Sequence, residues 1–251
     1  MKTTNSIRKY RLHATDGLVG SVKDFYFDDE KWTVRYFVVH TGSWLMGRDV
    51  LISPIALKGV EEAGREIFVD LTKEKIENSP SLSTAEPVSR QHEREYFQYY
   101  GWPYYWGGPS AWGWSGVPTP IPDVEPAPPR KLPEGQEGEE EVRLRSVQEI
   151  LGYHIAAQDG EIGHVEDFVL DGDAWTMTDL LIDTRNWIPG KKVLIPHAAI
   201  QVVSWIDRNI TVGLTCGQIQ RAPEYDPGMG VSKDYHQKVR EYYEHQMAVA
   251  R

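Results

Sequence analysis

Short runs of alternating apolar and polar residues, separated by turn residues, fill most of the chain outside residues 82–149. In one run, Ile67, Val69 and Leu71 point to the same side, and residues 209–214 repeat that alternation. A period of two predicts β-strands with one buried face. The spacing of these runs and the turns between them are typical of a small all-β domain.

One run differs from the others because both of its faces are apolar. In residues 32–41, Phe37 and Val39 lie on one face and Val38 on the other, and residues 175–184 follow the same pattern. A strand that is buried on both sides reads as a nearly continuous apolar run. We therefore expect this strand to be covered once by the barrel interior and once by another element.

The whole pattern occurs twice, with a constant shift of 143 residues. Residues 16–25 (DGLVGSVKDF) align with residues 159–168 (DGEIGHVEDF), and the register continues without a gap to Tyr99-Tyr100 over Tyr242-Tyr243. Self-similarity of this length indicates an internal duplication. Each copy covers roughly residues 7–102 or 150–245, and we expect both copies to have the same topology.

The alignment also predicts the core and the helices that follow each barrel. The residues expected to be buried are Phe37, Val39, Ile52, Val69, Leu180, Ile182, Ile195 and Val212. Thr72 and Thr215 are placed to cap short helices. A barrel of about 70 residues, without its tail, has a thin core, so we expect the barrels to dock on each other or on a second chain.

Each copy ends in a tail that begins with a serine and carries a Tyr-Tyr pair. In the second tail, Tyr235, Val239 and Tyr242 recur at helical spacing, which predicts a helix over residues 232–247 with this face covered. In the first tail, the residues at the same register are His92, Tyr96 and Tyr99.

The segment between the copies is rich in proline and aromatic residues. Prolines favour extended chain, whereas disordered linkers usually lack aromatic residues. The aromatic side chains either pack on the barrels or form a partner-binding segment. The candidate partner-binding residues are Trp102, Tyr104, Tyr105, Trp106, Trp112 and Trp114.

These patterns predict an all-β protein with short helices, built from two tandem small β-barrels that are each followed by a C-terminal helix. The expected divisions are residues 1–81 for the first barrel, 82–149 for a helix and linker, 150–227 for the second barrel, and 228–251 for the C-terminal helix.

Charge and composition narrow the function classes. The net charge is −10 and no run of Lys or Arg is present, so nucleic acid is not an expected partner. No apolar stretch has the length of a membrane helix, and residues 1–6 lack the apolar run of a secretory signal. We expect a cytoplasmic protein that meets a membrane only through a partner complex.

No pattern of catalytic, cofactor-binding or metal-binding residues is found. Nucleotide-binding glycine motifs and the Gly-x-Ser-x-Gly motif are absent from the sequence. His164 and His197 lack counterparts in the first copy, and the only cysteine, Cys216, aligns with Lys73. The acidic pair Asp24 and Asp167 is shared by both copies, and we expect it to have a structural role.

The repeated pattern Asp-Gly-x-x-Gly-x-Val-x-Asp-Phe, followed by an acidic turn, Trp, an apolar strand and Thr-x-x-Trp, resembles the PRC-barrel family. That family is named for the cytoplasmic domain of the photosynthetic reaction-centre H subunit, and it includes a domain of a ribosome-maturation factor and many stand-alone bacterial proteins. The resemblance implies a barrel fold and carries no catalytic residues to this chain.

The resemblance favours a non-enzymatic adaptor or assembly protein with a protein partner, and a homodimer is compatible with it. One alternative is an RNA or ribosome-assembly factor, which the acidity disfavours because phosphate contacts need Lys or Arg. A small-ligand carrier is the second alternative.

Overall fold

The computed structural model describes residues 1–80, 88–120, 144–184 and 191–249. The chain divides into two compact units. The first unit consists of residues 7–147 and 173–175, and the second unit consists of residues 1–6, 148–172 and 176–251.

The first unit is built on one sheet whose strands occur in the order β5-β4-β3-β2-β7-β6. The strand β8 pairs with the end of β3 that β2 does not reach. All strand pairs are antiparallel except β2 with β7. The strands are β2 (Arg11–Ala14), β3 (Gly17–Asp28), β4 (Thr33–His40), β5 (Asp49–Ile52), β6 (Leu57–Glu61), β7 (Glu66–Val69) and β8 (Leu144–Ser146).

The second unit repeats this topology. Its sheet has the order β12-β11-β10-β9-β14-β13, with β1 paired to β10, and β9 with β14 is again a parallel pair. The strands are β1 (Lys2–Thr3), β9 (His154–Ala157), β10 (Gly160–Leu170), β11 (Met177–Asp183), β12 (Lys192–Pro196), β13 (Ile200–Ser204) and β14 (Asn209–Val212). The predicted all-β fold with a duplicated topology is confirmed.

Short helices follow the strands of each unit. Those in the first unit include α2 (Lys73–Glu77) and α3 (Arg90–Tyr100), and those in the second include α5 (Cys216–Gln220) and α6 (Lys233–Val249). The helices α1 (Thr4–Ile7) and α4 (Val147–Ile150) lie where the chain passes from one unit to the other.

The shared Asp-Gly turns connect each barrel to the helix after its last strand. Asp16 Oδ1 accepts from the Lys73 backbone N–H at 2.8 Å, and Asp159 Oδ1 accepts from that of Cys216 at 2.6 Å. The side chains of Thr72 and Thr215 cap the same helices, as predicted. The same contact therefore closes both copies.

The second glycine of the repeated motif is required by close backbone packing. A Cβ atom at Gly20 would lie 2.0 Å from His40 O, and one at Gly163 would lie 2.2 Å from Asp183 O. Only glycine lets the long strand approach its neighbour so closely.

The predicted core is confirmed, because all eight side chains are at most 1% exposed. They are Phe37, Val39, Ile52, Val69, Leu180, Ile182, Ile195 and Val212. Both faces of β4 are also buried, as expected.

The C-terminal helix is present, but its buried face is shifted from the predicted one. Val239 is buried as expected, together with His236 and Tyr243. Tyr235 and Tyr242 are only half-buried. The two tyrosines are thus only partly covered, with hydroxyls that donate to Pro223 O and Gln218 O. The centre of the buried face is shifted because the helix turns His236 inward to pair with the buried Asp179 (2.7 Å).

The tail of the first copy shows the same shift. Its buried residues are Glu93, Tyr96, Phe97 and Tyr100. His92 and Tyr99, which the predicted register had placed on the covered face, are exposed.

The compact units differ from the expected divisions of the chain. Residues 90–120 and 144–147, which were assigned to the connecting segment, are part of the first unit. Residues 1–6, assigned to the first barrel, are part of the second unit, because they pair with β10. No helix in the described part of the chain combines the length and the apolar character needed to cross a membrane.

Candidate partner-binding site

An aromatic segment that follows α3 packs within the first unit. We call residues 102–115 the aromatic cap. Gly101 adopts a left-handed conformation (φ +72°), and the Trp102 N–H donates to Phe97 O at 2.9 Å. This Schellman-type end turns the chain back over α3, because glycine adopts positive φ without steric cost.

Three of the six candidate residues are buried inside the cap. Trp102, Tyr105 and Trp112 are 8%, 2% and 6% exposed. Trp102 stacks on Tyr100 with ring centroids 4.4 Å apart. The indole N–H of Trp112 donates to Ala174 O at 2.7 Å within the same unit. These side chains therefore hold the cap in place.

A buried arginine on β4 anchors the cap. Arg35 is 0% exposed, and its guanidinium lies 3.8 Å from the centre of the Tyr105 ring and 4.8 Å from that of Trp112. It pairs with Asp28 at 2.9 Å and donates to Ala111 O at 2.5 Å. A desolvated cation between aromatic faces is a strong contact, so Arg35 joins the strand, the acidic turn and the cap.

A second buried polar group connects the cap to α3. Glu93 is 2% exposed and accepts from the hydroxyls of Tyr36 (3.0 Å) and Tyr105 (2.8 Å), while its other oxygen pairs with Arg90 (2.8 Å). Burial raises the pKa of Glu93, and Arg90 opposes that rise. Burial, followed by the nearby Glu93 charge, raises the pKa values of Tyr36 and Tyr105 well above the usual 10.

Lys31 fixes the far end of the cap. Its ammonium group donates to Gly108 O at 3.0 Å and to Ser110 O at 2.8 Å. Backbone bridges between Ser110 and Gly113 and between Trp112 and Ser115 complete a tight turn. The cap thus has a fixed backbone under its outer side chains.

The outer rim of the cap presents the other three candidates. Tyr104 and Trp106 are half-buried and stack on each other, with centroids 4.7 Å apart, and the Arg90 guanidinium lies 4.4 Å from the Trp106 ring. Trp114 is 83% exposed. We call Tyr104, Trp106 and Trp114 the rim. For these three residues, partner binding stays a prediction.

The residues that hold the cap were missed in the sequence. Arg35 interrupts an apolar strand, and its counterpart in the second copy is Thr178. Glu93 likewise stands where the second copy has His236. Two signals in the sequence indicate a charge buried under the linker. The two copies differ at these positions, and aromatic residues follow the first copy alone.

The second unit places a different polar pair at the same two positions. Tyr36 and Glu93 of the first unit correspond to Asp179 and His236, which lie 2.7 Å apart and are almost completely buried. The acid therefore lies on the helix in one copy and on the strand in the other, and each copy keeps a polar contact between strand and tail.

The histidine-rich hairpin of the second copy shows no metal-binding arrangement. His154 pairs with Glu161 at 2.5 Å. Among the described residues, no three His, Cys, Asp or Glu side chains come together as metal ligands. Cys216 is buried, and burial raises the pKa of its thiol.

A cleft that encloses only ≈ 10 Å³ lies in the first unit. Its lining residues are Arg48, Asp49, Val50, Leu51, Ser79, Pro80 and Tyr96. Typical small-molecule sites enclose about 300–1,000 Å³, so this cleft is smaller than the usual ligand pocket.

The fold agrees with a family model for the PRC-barrel domain, which matches residues 12–76 and 144–214. The chain belongs to the PRC-barrel family. Both PRC-barrel copies are matched, whereas the aromatic cap lies outside the matched ranges. A comparison with curated proteins finds no match.

Proposed function

We propose that this PRC-barrel protein is a non-enzymatic adaptor that binds a protein partner through the rim of its aromatic cap. The observation that carries the proposal is the 83% exposure of Trp114 on a fixed turn. Tryptophan is the residue type most enriched among the anchors of protein interfaces. The burial of a large exposed apolar side chain by a partner is favourable, because it removes apolar surface from water.

The surroundings of Trp114 support this proposal. The buried charges under the cap are paired with one another, as in Arg35 with Asp28 and Arg90 with Glu93. They act to fix the cap, and the outer surface is left to Tyr104, Trp106 and Trp114. A preorganised aromatic surface loses little conformational entropy on binding.

The proposal follows from features that the second PRC-barrel copy lacks. The buried arginine and the aromatic segment occur together in the first copy only. We infer that the first unit is specialised to present the rim, and that a partner contributes apolar or proline side chains that pack on these rings. Aromatic-lined surfaces bind such segments in other proteins.

An affinity capture from the native cell at high salt tests the proposal. The full chain should retain a defined protein, and Trp114→Ala should lose it while the melting temperature stays the same, because the side chain is exposed. Met229→Ala is the matched control, since Met229 is 78% exposed in the second unit.

Two results would contradict the proposal. Equal retention of the partner by Trp114→Ala and by the control would show that the rim is not the binding surface. Binding of ribosomal RNA that weakens steeply with salt, without a retained protein, would instead support the RNA-assembly alternative.

A further inference from the structure

The long central strand of each sheet extends beyond its hairpin partner and leaves an edge to be filled. In β3, pairing with β2 involves only residues 17–21, and in β10, pairing with β9 involves only residues 160–164. The remaining half of each strand needs another strand on that side, because an uncovered edge presents unpaired backbone groups.

Each edge is filled by the segment that immediately precedes the other copy in sequence. Lys2 and Thr3 pair with Leu170 and Val169 of β10. The corresponding residues just before the second copy, Arg145 and Ser146, pair with Phe27 and Tyr26 of β3. The shift of 143 relates both the incoming residues and the residues that receive them, so the two PRC-barrel copies exchange equivalent segments.

The shared acidic pair anchors the exchanged segments. Asp167 is 4% exposed and accepts from the Thr4 hydroxyl and from the Asn5 N–H at 3.1 Å. Asp24 is 7% exposed and accepts from the Ser146 hydroxyl at 2.5 Å. A buried carboxylate that lost these donors would be destabilised, so each incoming segment supplies a hydroxyl donor to the aspartate, Thr4 in one case and Ser146 in the other.

The two incoming segments have the same chemistry. Residues 2–4 read Lys-Thr-Thr and residues 145–147 read Arg-Ser-Val, so a basic residue precedes a hydroxyl residue in both. Arg145 also pairs with Asp29 at 3.3 Å. The donors in residues 1–6 lie more than 160 positions from Asp167 in sequence. Because every copy of the chain contains residues 1–6, a second copy offers this site the same donors.

We propose that the edge of β10 beside Asp167 is a strand-accepting site that residues 1–6 of a second copy of this chain can occupy. Reciprocal occupation closes a symmetric dimer, which is a low-cost route because every bond is already used within one chain. At the edge of β10, residues 1–6 of the same chain have an effective concentration of the order of millimolar. The exchanged dimer should therefore form as the protein concentration approaches about 1 mM.

The test uses two single-cysteine versions of the full chain, both carrying Cys216→Ser. One carries Thr3→Cys and the other Val169→Cys, which replace residues that are paired across β1 and β10. They are incubated together at increasing concentration, diluted and oxidised. A disulfide between the two versions requires that residues 1–6 of one chain lie on β10 of the other.

The matched control mixes Ser146→Cys with Tyr26→Cys, the equivalent pair on β3. Residues 144–147 stay in place in the proposed dimer, so this mixture should yield little crosslinked product. We expect the Thr3/Val169 mixture to give at least about tenfold more heterodimer after incubation near 1 mM than the control mixture. Equal yields from both mixtures would overturn the proposal.

Native mass spectrometry of the unsubstituted protein gives a second readout that does not depend on the cysteine variants. The dimer fraction should rise with concentration, and removal of residues 2–6 should abolish it, because these residues supply the exchanged strand. A protein that stays monomeric up to about 1 mM, the effective concentration of the tethered segment, would refute the exchange. A dimer that persists after the removal of residues 2–6 would refute it as well, since another surface must then hold it.

Discussion

Replacement of the buried arginine under the aromatic cap is the sharpest test of how the first unit is held together. Arg35→Met keeps an apolar stem of similar length and removes the charge. The variant loses the ion pair with Asp28, the hydrogen bond to Ala111 O and the contacts with the Tyr105 and Trp112 rings.

The magnitude follows from the burial of both charges. The side chains of Arg35 and Asp28 are 0% and 8% exposed, and removal of one partner from a buried pair typically costs about 3–5 kcal/mol. Asp28 keeps hydrogen bonds from the backbone N–H groups of Glu30 and Lys31, which favours the lower end. We therefore expect a loss of about 3 kcal/mol in the free energy of unfolding of the first unit.

Urea denaturation monitored by tryptophan fluorescence measures this loss. Lys58→Met serves as the control, because Lys58 forms an exposed pair with Asp70, and exposed pairs contribute little. The double variant Arg35→Met/Asp28→Asn should recover part of the loss, since it no longer leaves a buried carboxylate. A loss below about 1 kcal/mol for Arg35→Met would refute the reasoning that a desolvated ion pair fixes the cap.

Three further predictions test other parts of the fold. Val69→Ala and Val212→Ala should each destabilise by about 1–3 kcal/mol in urea denaturation, because both side chains are buried in the core, and a value near zero would mean that the strand register is wrong. Burial raises the folded-state pKa of Glu93 above its usual 4.5, so its contribution to stability is fully present below pH 4.5 and is lost as pH rises through the folded pKa. The stability of the native protein relative to Glu93→Gln should therefore fall with rising pH across that window, and a rise would contradict the assignment. His236→Ala should lower the melting temperature of the second unit because it leaves the carboxylate of Asp179 buried without its partner, and an unchanged melting curve would show that this contact does not hold α6.

The sequence was sufficient to predict the repeated topology and the core. Alternating apolar positions such as Val69 and Val212 report burial directly, and the gapless register shows that both copies fold alike. The Asp-Gly turns and the threonine caps act locally, so the residues that form them are neighbours in sequence or in a hairpin.

Long-range polar contacts could not be predicted in this way. The inward turn of His236 depends on Asp179, and the burial of Arg35 depends on a cap that follows about 70 positions later. Hydrophobic periodicity treats such residues as surface positions. The shared Asp24 and Asp167 were recognised as structural, but their partners became clear only when the segments that supply the hydroxyl groups were located.

The crossed placement of residues 1–6 and 144–147 also determines when each unit can become complete during synthesis on the ribosome. The segment that fills the edge of β10 is made first, about 160 residues before the strand that receives it. The edge of β3 must wait until residue 147 has emerged. Domains of most chains fold one after another as they are made, whereas here the first barrel should close only after residue 146 has been made, and until then the edge of β3 stays open. A nascent chain with this open edge can pair with a strand of another chain, so we expect misassembly to start from this folding intermediate.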